Sequence, residues 1–116
     1  MSSLEVAYNE LGADYSDVKK RLMNEALVER FVGKFLEDQT FASLKAALEA
    51  KDAEAAFMAA HTLKGVCQNL GLSNLFVPVR DLTEVLRAGS LEGADELFSQ
   101  LEEQYERTVS VISACL

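Results

Sequence analysis

Basic side chains are in short supply: 11 lysines and arginines stand against 19 aspartates and glutamates, a formal net charge of −8. A nucleic-acid binder needs a clustered basic surface to neutralise phosphates, and adhesion to an anionic bilayer asks for the same, so both partner classes are excluded. No apolar run approaches the roughly 20 residues of a membrane span. Met1 to Glu10 has neither the basic nor the apolar region of a secretory leader. These absences point to a cytoplasmic protein, and a start at Met1 with a helical pattern running to Leu116 fits a free-standing one. Cysteine is scarce too. Cys67 and Cys115 form no CxxC and no Cys/His pair, so neither a metal site nor a redox motif is expected. Cys67 reads as a small buried apolar residue and Cys115 as an incidental thiol. A Gly-rich nucleotide loop is missing, which excludes autophosphorylation from ATP.

What is present is a 3.6-residue period, with no alternation long enough for a strand. At 116 residues, with one proline and six glycines, the chain suits one helical domain around a single core. A short helix is expected over Asp14 to Leu22, after a loop at Gly12. Asn24 is placed to cap a helix from Glu25 to about Asp38, with Leu27, Phe31 and Phe35 inward. Phe41, Leu44 and Leu48 continue that stripe to Ala50 across a bend near Gln39-Thr40. Lys51 closes it, Asp52 caps the next helix, Ala53 to Leu70, and Gly71 ends that one. Ser73 is expected to cap a helix to Arg87, with Leu75, Val79, Leu82 and Leu86 inward and a modest kink at Pro78. Ala88-Gly89-Ser90 makes the turn. Ala94, Leu97, Leu101, Tyr105, Thr108, Ile112 and Cys115 mark the last helix. The expectation is an all-α, antiparallel up-down four-helix bundle with a short extra N-terminal helix, residues 1–116 forming a single domain.

His61 is the only histidine, in Ala59-Ala60-His61-Thr62-Leu63-Lys64-Gly65. At about 100° per residue, Lys64, Gly65 and Gln68 share its face of the helix. Ala56, Ala59, Leu63, Val66, Cys67 and Leu70 make the opposite, apolar face. The imidazole therefore points to solvent with a cation beside it, a missing side chain next to it, and an amide one turn further on. A glycine inside a helix costs about 0.5–1 kcal/mol relative to alanine, and room for a bulky group on the imidazole is a reason to keep it. A neutral imidazole is a nucleophile near neutral pH, and Lys64 and Gln68 can meet the oxygens of a phosphoryl group. Phe57 and Met58 project about −40° and +60° from His61 and read as an apolar docking surface, which Leu72 joins beyond the helix end. The plain alternative for Phe57 and Met58 is packing against a neighbouring helix or the N-terminal segment.

His-x-x-Lys-Gly on an amphipathic helix, with Phe31, Phe35 and Leu36 before it and Asn69-Leu70-Gly71 after it, resembles the histidine-containing phosphotransfer (HPt) domains of multistep two-component phosphorelays. The resemblance covers nearly the whole chain. It implies an antiparallel helical bundle with the phosphorylatable histidine midway along an exposed face. It implies that Nε2 of His61 takes a phosphoryl group from an aspartyl phosphate and returns it to another. The implied partners are receiver domains, one of a hybrid sensor kinase and one of a response regulator. They would bring the Mg²⁺ and the catalytic carboxylates, so this chain is expected to need no cofactor or metal. It would act as a monomeric phosphoryl carrier rather than a stand-alone enzyme. Histidine-kinase dimerisation helices carry an acidic residue directly after the histidine, where this chain has Thr62. Three other readings stand beside this one. An exposed histidine on an unrelated helical bundle does not predict the helix phase, the flanking pattern and the matching length together. A helical interaction module without phosphotransfer is opposed by His61, Lys64 and Gly65 occurring together. An enzyme with His61 as general base lacks a Ser, Cys or Asp partner on the same face.

Overall fold

Seven α-helices, α1, α2, α3 and α5 of them started by a side-chain cap, and no strand make up the described residues, 2–116 of a computed structural model. They are α1 (Ser3–Leu11), α2 (Tyr15–Leu22), α3 (Glu25–Glu37), α4 (Thr40–Glu49), α5 (Ala53–Asn69), α6 (Ser73–Arg87) and α7 (Ala94–Ser113). Met1 lies outside the described residues, so of the segment weighed as a leader only Ser2 to Glu10 is described. Four long helices and one short one were expected, and two features account for the difference.

The first is α1, a helix ahead of the one expected over Asp14 to Leu22. Ser2 caps it, its side chain accepting from the Glu5 N–H at 3.1 Å, and Gly12 ends it in the left-handed conformation. Leu4, Ala7, Tyr8 and Leu11 are buried, one helical stripe. Ser-x-x-Glu followed by apolar residues at this spacing is a helix-start signature. The second is the separation of α3 from α4. Asp38 is extended (φ −69°, ψ 136°), and its carboxylate accepts from the Thr40 N–H at 2.7 Å. A side chain that competes for backbone groups in this way breaks the ladder instead of bending it.

Around α5 the helices close on one core. α4 and α6 pack against α5, and α6 packs against α7. α7 reaches back to α4 through Phe41, which stacks on Tyr105 with centroids 3.9 Å apart and on Phe98 at 5.3 Å. Lys45 and Glu102 pair at 3.0 Å over the same seam. Leu44, Leu63, Cys67, Leu75, Val79, Leu82, Leu101 and Ile112 are fully buried between these helices. The inward face expected for α6 is the one found, and that of α7 holds as far as Ile112, Cys115 lying past the helix end at Ser113.

The expected face of α3 is found only at Phe35. Val28, Val32 and Phe35 enter the core, whereas Leu27 is half-buried and Phe31 is 40% exposed with the Lys34 ammonium 5.4 Å from its ring. The two stripes are adjacent; α2 packs against α3, and Phe35 meets Tyr105 of α7 edge-on with centroids 5.7 Å apart. On α5 the core takes Ala60, leaving Ala59 half-buried. Leu72, not Ser73, precedes the first turn of α6, and that start has no side-chain cap. The α6–α7 connection runs from Ala88 to Gly93, longer than the expected turn.

α1 and α2 lock the turn between α5 and α6. The Tyr8 hydroxyl donates to the Leu70 carbonyl at 2.7 Å, and the Asp14 N–H donates to the Gly71 carbonyl at 2.8 Å. Gly71 has φ +66°, and a Cβ there would lie 2.5 Å from the Asp14 carbonyl oxygen. Only glycine satisfies both the left-handed backbone and that close approach.

Candidate functional site

α5 carries the candidate nucleophile. Asp52 caps its start, accepting from the Ala55 N–H at 3.0 Å. Ala56, Ala60, Leu63 and Cys67 anchor it in the core. Because those four positions turn inward, His61 must turn outward, and it is exposed midway along the helix. No hydrogen bond or ion pair holds either ring nitrogen among the described residues. The ring is thus accessible from solvent.

Lys64 and Gly65 are half-exposed beside it, and Gln68 is exposed one turn beyond. A Cβ built on Gly65 would meet nothing within 4 Å, so there is open space on this side of the ring. Thr62, directly after the histidine, donates its hydroxyl to the Met58 carbonyl at 3.0 Å and has no proton to offer a substrate. Cys67 is fully buried and burial pushes its thiol up to about 12, which removes it as a partner for His61.

The candidate docking residues divide. Met58 is 61% exposed beside an open depression lined by Gln39, Thr40, Ser43 and Thr62. Phe57 is half-buried: its ring stacks on the His61 imidazole, centroids 5.9 Å apart and 21° from parallel, and the Arg87 guanidinium lies 5.1 Å from its centroid. Leu72 is a correction. It is completely buried under the α5–α6 turn and presents nothing to a partner. Its place just past a helix end suggested exposure, but α1 and α2 cover that end.

Two cations reach this face from elsewhere in the chain. Arg21 of α2 donates to the backbone carbonyl of Gln68 while pairing with Asp17 at 3.0 Å. That carbonyl belongs to the last turn of α5, where a cation meets the negative end of the helix dipole. Arg87 of α6 reaches Phe57 as described. Neither contact has a local sequence signal.

The site is thus an exposed imidazole on a helix of an all-α domain, with a lysine one turn on and open space at the glycine after it. The Hpt domain family model matches residues 27–110, and the chain belongs to that family. Comparison with curated proteins and with solved structures gave no match. Among the described residues no helix is long and apolar enough to cross a membrane, and no group of three His, Cys, Asp or Glu could hold a metal ion. Membership of the family carries phosphotransfer within phosphorelays, with receiver domains as the interacting class.

Proposed function

We propose that this chain relays a phosphoryl group between aspartyl-phosphate receiver domains through His61, as a monomeric carrier in the cytoplasm. Its frame is an up-down four-helix arrangement in which α3 and α4 together make one arm. The observation that carries the reading is the exposed imidazole with unpartnered nitrogens beside an empty glycine position.

Attack by the lone pair of Nε2 on the phosphorus of an aspartyl phosphate forms the N–P bond. The P–O bond to the carboxyl breaks, and aspartate leaves as carboxylate. The ring gains a positive charge, which it loses with the Nδ1 proton to water. The reverse sequence delivers the group to a second receiver. Mg²⁺ and the acidic residues that bind it come with the receiver. Lys64 offsets the charge of the phosphoryl oxygens, and the Gln68 amide is placed to donate to one of them. Gly65 leaves room for the group and for the receiver loops that bring it.

Incubation with a receiver domain charged from labelled acetyl phosphate tests this. The label should move to this chain as an acid-labile, base-stable phosphate, and His61→Gln should abolish it while the melting temperature stays within about 2 °C, as for an exposed side chain. Undiminished labelling of His61→Gln would overturn the assignment.

A further inference from the structure

Phe57 lies one turn before His61 on α5, and Arg87 is the last residue of α6. The Arg87 guanidinium sits 5.1 Å from the Phe57 centroid, within the reach of a cation–π contact. Glu84, one turn back on α6, holds the same guanidinium at 3.3 Å. Phe57 in turn lies 5.9 Å from the His61 ring and 21° from parallel with it, inside the range of offset stacking. A continuous chain of contacts therefore runs from the end of α6 to the nucleophile. The geometry points to Arg87 and Phe57 as positioning residues: Arg87 fixes the Phe57 ring, and that ring holds the imidazole in one orientation for attack. This inference rests on His61 being the phosphoryl acceptor.

An exposed histidine on a helix has two common χ1 wells and a roughly two-fold χ2, hence about four orientations. Only an orientation that aims a ring nitrogen along the line of attack is productive. Selecting it beforehand is worth up to about fourfold in rate, because the orientational entropy is lost before the partner arrives. The same contacts make Phe57 a poor docking residue, since its ring is half-buried and faces an arginine and the imidazole. Met58, 61% exposed, is the residue left to contact the partner.

Proton NMR of the whole protein reads the stack without any phosphodonor. The single histidine makes its Hδ2 and Hε1 resonances unambiguous. The Phe57 ring current should hold them away from free-histidine positions. Phe57→Leu should release them, Arg87→Ala should move them part of the way, and Arg87→Lys should restore most of the shift. With a receiver charged from acetyl phosphate, Arg87→Ala should lower the maximal transfer rate about two- to fourfold at an unchanged half-saturating receiver concentration. Arg87→Lys should recover most of that rate. Unmoved histidine resonances in both Phe57→Leu and Arg87→Ala would overturn the inference, and so would moved resonances with an unchanged maximal rate. A raised half-saturating concentration at an unchanged rate would return Phe57 to the docking surface and overturn it equally. A wild-type chain that shows the ring-current shift but takes no label overturns the relay reading, an outcome the NMR measurement keeps separate from loss of the stack.

Discussion

Gly65 offers a perturbation whose effects on stability and on function should have opposite signs. The position is within α5, four residues after His61, and a Cβ there meets no atom within 4 Å. Alanine therefore gains its full helix propensity over glycine, about 1 kcal/mol, with nothing lost to clash. Unfolding entropy near 2.1 cal/mol/K per residue makes that worth about 4 °C for a chain of this size. Glutamine is a slightly weaker helix former and should give about half to two-thirds as much. On the helix surface the Cβ atoms of residues four apart lie about 5–6 Å from each other. The glutamine side chain thus reaches into the space where the phosphoryl group and the approaching receiver must fit. Gly65→Ala should melt higher and still accept phosphate. Gly65→Gln should also melt higher, yet accept it at least about tenfold more slowly, a barrier increase of about 1.4 kcal/mol. Thermal melting by circular dichroism and a labelling time course from a charged receiver measure the two arms. A glutamine variant that transfers at the wild-type rate would show that the glycine keeps no space for the reaction. An alanine variant that melts lower would show that the position is not open.

Three further outcomes follow from particular contacts. Met58→Ala should raise the half-saturating receiver concentration severalfold with little change in melting temperature, because the side chain is 61% exposed; steady-state transfer kinetics beside a thermal melt check it. Gly71→Ala should cost about 3 kcal/mol in urea melts, since φ +66° is strained for alanine and its Cβ would strike the Asp14 carbonyl oxygen at 2.5 Å. Burial, and less so Asp38, pushes the Cys67 thiol up to about 12, so the folded state keeps a proton that the unfolded chain releases near pH 8.5. Its stabilising contribution is complete below that unfolded value and is lost as pH rises towards 12, at about 1 kcal/mol per pH unit. Urea melts between pH 8 and 11 should show the fall, shallower in Cys67→Ala. Tyr8, also raised by burial, adds to the slope above about pH 10.

The phase of α5 was legible in the sequence because helical phase is a local property. About 100° per residue separates His61 from Leu63 and Cys67 whatever surrounds them, so outward placement of the histidine required no knowledge of the fold. The Asn24 and Asp52 caps are local in the same sense, each side chain bonding a backbone N–H three residues on. The Ser2 cap of α1 is equally local, its side chain accepting from the Glu5 N–H three residues on.

Other features belong to the tertiary structure alone. α3 carries two adjacent apolar stripes, Leu27-Phe31 and Val28-Val32, and periodicity cannot choose between them. The choice fell to the helices that pack against α3, and it left Phe31 on the surface. Leu72 follows a helix end, a place that reads as exposed until α1 and α2 fold over it. Arg21 on the Gln68 carbonyl and Arg87 on Phe57 join residues on different helices, far apart in the chain. Such contacts leave no periodic trace, because their geometry is set by how whole helices pack and not by the rotation from one residue to the next.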